Sequence, residues 1–183
     1  MNLYIVRHGQ TDWNKEKILQ GQCNIPLNDG GRKEAKDVAR QLGSYKIDRI
    51  ISSTLDRALE TAQIINQSIN IPLSTDQRLI ERSFGDYEGK TYDQEQIAYF
   101  WQVNEPLSNI EPLPDVFARV KAFLLNLEGQ EETILVVCHG VIAAVMRIII
   151  EELTQDYHTL TPHNCEVLSY TIEDWSKIKS RNF

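Results

Sequence analysis

The chain has 183 residues, 42% of them apolar or aromatic and 25% charged, which suits one soluble domain with a sizeable core. Its formal net charge of −7 argues against nucleic acid or an anionic membrane surface as the main partner. A small cationic pocket is still allowed, because net charge says nothing of local fields.

Asn2 to Val6 reads as a strand, and it delivers Arg7, His8 and Gly9 together. Asp29 to Gly43 carries Ala35, Val38, Ala39 and Leu42 at helical spacing, with Gly43 as a stop signal. Asp48 to Ser52, DRIIS, predicts a strand. Ser53 and Thr54 then offer caps to a helix whose apolar set is Leu55, Ala58, Leu59, Ala62, Ile65 and Ile69. Ile71 to Leu73 is a short strand candidate. Leu79 to Lys90 is irregular, Tyr92 to Val103 is read as helical, and Asn104 to Pro114 is expected to be loop. Asp115 to Leu127 predicts a helix with Val116, Val120, Phe123 and Leu127 in register. Thr133 to Cys138, TILVVC, is continuously apolar, as a strand buried on both faces should be. Gly140 to Leu153 is apolar nearly all round and should be a buried helix. Cys165 to Ile172 alternates and should be the last strand; the polar end, DWSKIKSRNF, is expected to fray.

Strands alternating with helices predict a three-layer α/β/α sandwich with a mostly parallel central sheet. In such sheets ligands bind beyond the carboxyl ends of the strands. Three of those ends carry reactive residues: Arg7-His8, SSTLDR with Arg57, and His139-Gly140. Brought to one edge, two imidazoles, two guanidiniums and the nearby backbone donors would suit a phosphoryl dianion.

The longest apolar stretch, Val141 to Ile150, is interrupted by Arg147 and is too short to span a bilayer. The first strand lacks a basic n-region, so no targeting segment is expected. Cys23, Cys138 and Cys165 show neither a disulfide framework nor a metal spacing. Reduced, cytoplasmic residence is the expectation.

RHGQTDWN, LQGQCNIPLNDGG, SSTLDRALETA, LIERSFGDYEG and VVCHG, in this order from Tyr4 to Gly140, resemble the successive signatures of the histidine phosphatase superfamily, the phosphoglycerate-mutase-like proteins. The resemblance implies one histidine-phosphatase domain over residues 1–183, with residues 90–114 a short insertion that partly caps the site. It implies that His8 is the nucleophile, its other ring nitrogen held by a backbone carbonyl. Arg7, Arg57 and His139 would surround the phosphoryl oxygens. Asn14 would add a hydrogen bond, and Gln20, Gly21 and Gly140 would line the phosphate or substrate side. Glu81 would protonate the leaving oxygen and then activate water. No cofactor and no metal is expected, since arginines take the metal's place. The implied partner is a small phosphorylated metabolite, and by family analogy alone a homodimer is allowed.

Taken singly, these residues have plainer readings. Arg57 could pair with Asp56 or Glu60 on the helix surface. Glu88 shares the loop of Glu81 and is read as a structural anchor. Trp13 is read as packing, Cys138 as an inert core thiol, His158 and His163 as solvated, and Glu128 to Glu132 as a solvated loop. The aromatic run of Tyr99, Phe100 and Trp101 is either a helix face packed on the core or a wall over the pocket. Asn24 and Asp12 stand where the family often has Asp and Glu. The favoured activity is metal-independent phosphomonoester hydrolysis. A phosphoglycerate mutase would need more cations, and residues 89–114 contain only Lys90. A catalytically silent phospholigand-binding module is the third reading.

Overall fold

The computed structural model describes residues 1–104, 109–153 and 159–181. It has β1 (Asn2–Arg7), α1 (Asp12–Lys15), α2 (Asp29–Leu42), β2 (Arg49–Ser52), α3 (Asp56–Ile69) and β3 (Leu73–Thr75). After two 3-10 turns come α4 (Gln94–Phe100), α5 (Leu113–Leu125), β4 (Ile134–Cys138), α6 (Gly140–Glu151), β5 (Val167–Thr171) and α7 (Trp175–Ser180).

The strand order is β3-β2-β4-β1-β5. All pairs are parallel except β1 with β5. β4 sits between β2 and β1, and each of its residues is buried, which is why TILVVC is a run and not an alternation. Ile134, Val136 and Cys138 face a core built with α5, α6 and α7. Leu135 and Val137 face the other, built with α2 and α3. The expected α/β/α sandwich follows from this division. Each fully buried aliphatic contributes about 1.5–3 kcal/mol.

The connection leaving β1 runs to α2 on one face, while β4 leads into α6 on the opposite face. The two chain segments part beyond the carboxyl ends of β1 and β4, and that divergence opens a crevice at the edge where ligands bind in such sheets.

Several elements differ from the sequence expectation. The short strand lies two residues later, at Leu73–Thr75, where it pairs with β2. Ser53 and Thr54 do not cap α3. Its N-cap is Leu55, which gives no side-chain cap, and Asn24 Oδ1 from a distant loop accepts from Asp56 N at 2.8 Å instead. The polar C-terminal stretch forms α7, because Asp174 caps it and Ile178 is buried against the core shared with α5 and α6. The loop expected over Asn104 to Pro114 lies partly outside the described residues, and His158 lies wholly outside them. Among the described residues, no helix is long and apolar enough to cross a membrane.

A third, smaller apolar cluster stands at the carboxyl edge of the sheet. It is made by Leu19, Phe84, Phe100, Val103 and Ile110. The aromatic run therefore does pack: Phe100 is buried, with Phe84 and Tyr87 against its ring at 5.1 and 5.2 Å between centroids.

Candidate active site

His8 leaves the sheet in register, its N–H donating to Cys138 O of β4 at 2.9 Å. Its Nδ1 lies 2.7 Å from Gly9 O. A carbonyl only accepts, so Nδ1 carries the hydrogen. On the other side Arg57 Nε donates to His8 Nε2 at 3.2 Å. A guanidinium only donates, so Nε2 presents its lone pair. Two partners of opposite kind thus hold one neutral tautomer.

The ring is 2% exposed. Burial holds its pKa well below the ordinary 6.5, and the charges of Arg57 and Arg7 push the same way, against the pull of the Gly9 hydrogen bond. The two arginines expected to keep the ring neutral do act in that direction, but burial is the larger cause.

Arg57 does not pair with Asp56 or Glu60. It is buried, and its Nη1 and Nη2 donate to Cys23 O at 2.8 Å and Gly21 O at 2.7 Å. Burial lowers its pKa to about 10, so it stays charged at neutral pH. The loop it holds needs glycine at Gly21, whose φ is +48° and where a Cβ would meet Glu88 Oε1 at 2.0 Å. Glu88 anchors that loop: Oε1 accepts from Gln22 N and Phe84 N, and Oε2 from Cys23 Sγ.

Arg7 donates from Nη1 to Pro162 O at 2.8 Å, and its Nε is buried with no partner among the described residues. Gly140, at the start of α6, lets Arg7 lie close, since a Cβ there would sit 3.4 Å from the guanidinium carbon and 2.9 Å from Thr161 Cγ2. His139 does not line the open cleft. It stands fully buried behind His8, ring centroids 5.2 Å apart. Its Nε2 is 2.7 Å from Ser53 Oγ, and its Nδ1 has no partner among the described residues. Arg7 Nε is a buried donor left without an acceptor, which is costly unless an anion completes it.

Asn14 and Gln20 line the cleft with Arg7, His8, Arg57 and Glu81. Asn14 Oδ1 accepts from Thr11 N and Asn164 Nδ2, so its amide NH2 is the end left over. Gln20 Oε1 accepts from Thr11 Oγ1 at 3.0 Å, which leaves its NH2 in the same way.

Glu81 is 8% exposed. Its Oε1 accepts from Arg82 N at 2.9 Å and Oε2 from Val141 N at 3.3 Å. Burial raises its pKa, and it prevails over these hydrogen bonds and over the charges of Arg57 and Arg7.

The other residues singled out stay apart. Trp13 is half-buried and Glu88 is turned into its loop. His163 is exposed, with its backbone N–H engaged by Glu166. Cys138 is buried within β4, and burial raises its thiol pKa. Asp12 Oδ1 accepts from Asn28 Nδ2 at 3.2 Å.

Four supporting residues carry no such signal in the sequence. Ser53 has the look of a cap and serves His139 instead. Thr61 Oγ1 accepts from Gly9 N and donates to Arg57 O. Asn164 Nδ2 donates to His8 O at 2.8 Å. Arg82 is buried beneath the aromatic run, and nothing marks it beyond its place beside Glu81.

A sequence model of the histidine phosphatase superfamily (branch 1) matches residues 3–181. The chain is 32% identical over 149 residues to "Uncharacterized phosphatase PhoE" of Bacillus subtilis (strain 168), covering 80% of this chain and 75% of that protein. It is 40% identical over 93 residues to "Probable phosphoglycerate mutase GpmB" of Salmonella choleraesuis (strain SC-B67), covering 51% of this chain and 43% of that one. The solved structure of YhfR from Bacillus stearothermophilus superposes with a TM-score of 0.81 at 32% identity, over 94% of this chain and 91% of that one.

Proposed function

Starting from the fact that this chain belongs to the histidine phosphatase superfamily, branch 1, we propose that it hydrolyses small phosphomonoesters through a phosphohistidine on His8. The observation that carries this reading is the tautomer: Nδ1–H on Gly9 O and an unprotonated Nε2 that accepts from Arg57 Nε, both residues lining the cleft.

In the first step Nε2 attacks phosphorus and the bond from phosphorus to the ester oxygen breaks. Arg7, Arg57 and the Asn14 amide stabilise the charge spread over the phosphoryl oxygens, with His139 packed against the His8 ring. Glu81, whose pKa burial raises, gives its proton to the leaving oxygen. In the second step the Glu81 carboxylate takes a proton from water, the water oxygen attacks phosphorus, and the P–N bond breaks. Phosphate leaves and His8 regains its neutral form.

The mutase reading rests on relatives such as GpmB, but that match spans about half of each chain while the PhoE match spans at least three quarters. The test is hydrolysis of p-nitrophenyl phosphate with excess EDTA. Turnover is expected; its absence, with interconversion of phosphoglycerates primed by their bisphosphate, would establish the mutase instead.

Glu81→Gln is expected to lower kcat/KM for an alkyl phosphate by roughly 10²–10⁴-fold. For p-nitrophenyl phosphate, whose leaving group departs without a proton, the loss should be much smaller. Equal losses on the two substrates would remove Glu81 as the acid.

The pH profile should show both groups. Acid titrates the His8 lone pair, but with the pKa held below 6.5 that loss should come only well under pH 6.5. Glu81 loses its proton as pH rises through its raised pKa, so activity should fall there. Glu81→Gln should erase this high-pH limb and keep the low-pH one. The substrate's own titration is common to both proteins and cancels in their ratio. A high-pH limb unchanged in Glu81→Gln would assign it to another group.

A further inference from the structure

Resting on the phosphatase reading, we infer that the leaving-group side of the cleft selects uncharged, apolar phosphate esters and rejects those bearing a carboxylate or a second phosphate.

Beyond the phosphate-facing residues, the cleft is walled by Leu19, Phe84, Tyr92, Ile97, Phe100 and Trp101. The Tyr92 hydroxyl and the Trp101 indole N–H are the polar points of this set. One more guanidinium borders the cleft, that of Arg82, but it is 1% exposed. Each of its three nitrogens is committed to a backbone carbonyl: Nε to Glu111 O at 2.8 Å, Nη1 to Phe100 O at 2.6 Å and Nη2 to Val103 O at 3.1 Å. It holds the wall and does not face the ligand.

Neither nearby lysine lines the cleft. Lys90 is exposed and lies 5.6 Å from the centroid of the Tyr87 ring. Lys17 lines a neighbouring depression together with Asp93. A carboxylate pressed on the wall would lose its hydration, and no cation among the described wall residues would replace it. An alkyl or aryl group would remove apolar surface from water.

n-Butyl phosphate and 3-phosphoglycerate both leave as primary alkoxides, so intrinsic reactivity does not separate them. The inference expects kcat/KM for n-butyl phosphate to exceed that for 3-phosphoglycerate by at least about 10-fold. Ile97→Lys, which places a cation on the wall from the half-buried side of α4, should reduce that ratio by about 10-fold or invert it. Ile97→Ala, a milder change should the lysine variant fail to fold, should lower turnover of n-butyl phosphate and leave 3-phosphoglycerate unmoved. A wild-type ratio below about 10-fold, or a ratio unmoved by either variant, overturns the inference.

Exchange of oxygen-18 between labelled inorganic phosphate and water separates the two levels, because its leaving group is water and never touches the wall. Exchange with a low ratio sinks the wall's role alone. No exchange sinks the phosphohistidine reading, and the inference with it.

Discussion

His8→Ala should reduce turnover of p-nitrophenyl phosphate by at least ~10⁴-fold, the scale on which loss of a nucleophile is felt, while leaving the fold intact. The alanine removes the unprotonated Nε2, whose tautomer Gly9 O and Arg57 Nε fix at the wall of the cleft. It should not unfold the chain. The backbone hydrogen bonds of residue 8, to Cys138 O and from Asn164 Nδ2, survive the change. A ring buried in its neutral form also contributes no ion pair to lose. The check is a steady-state assay beside a urea titration of both proteins. Residual activity within about 10-fold of wild type would show that phosphorus is attacked by something other than His8. A urea midpoint far below wild type would show that the ring is structural.

The second large effect is on stability. Arg82→Ala should lower the unfolding free energy by at least about 3 kcal/mol. It removes three hydrogen bonds from a charged donor, each worth about 1.5–3 kcal/mol: Glu111 O loses its partner, while Phe100 O and Val103 O keep the backbone donors Val103 N and Leu113 N. Arg82→Lys should recover less than half of the loss, because one ammonium on a flexible stem cannot span three carbonyls that a planar fork reaches. Urea unfolding measures both. A loss under about 1 kcal/mol for the alanine variant would mean that water replaces the guanidinium and that the wall does not depend on it. Arg82 N also donates to Glu81 Oε1, but that bond comes from the backbone and should persist in either variant.

Much of the site is legible in the amino-acid sequence. Arg7, His8 and Gly9 are bonded to the end of a strand, and His139 and Gly140 to the end of another, so wherever those strands go these residues go with them. Parallel pairing of β1 with β4 then brings the two imidazoles to one edge. Arg57 is legible for a related reason, since it lies in the first turn of the helix after β2. The roles of Glu81 and Asn14 come from resemblance, because a loop glutamate among Asp86 and Glu88 has no period or neighbour that marks it.

What escapes the sequence shares one physical feature, dependence on partners far along the chain. Ser53 meets His139 across 86 positions and Asn164 meets His8 across 156. Seen locally, the first is a helix cap and the second a turn residue. α7 reads as polar because its buried face rests on Ile178 with Trp175 beside it, too few residues to set a period. Nothing local marks Arg82, yet three backbone carbonyls from distant parts of the chain enclose it.

By itself the sequence determined the order of the five strands and of α2, α3, α5 and α6 among them, the sandwich, and which reactive side chains end three of the strands. These follow from local periodicity and covalent adjacency. The tertiary structure alone decided the tautomer of His8, the burial that shifts His8 and Glu81 in opposite directions, and the apolar wall facing the leaving group. Each of these depends on which distant backbone groups enclose a side chain and exclude water from it, and no local pattern encodes that.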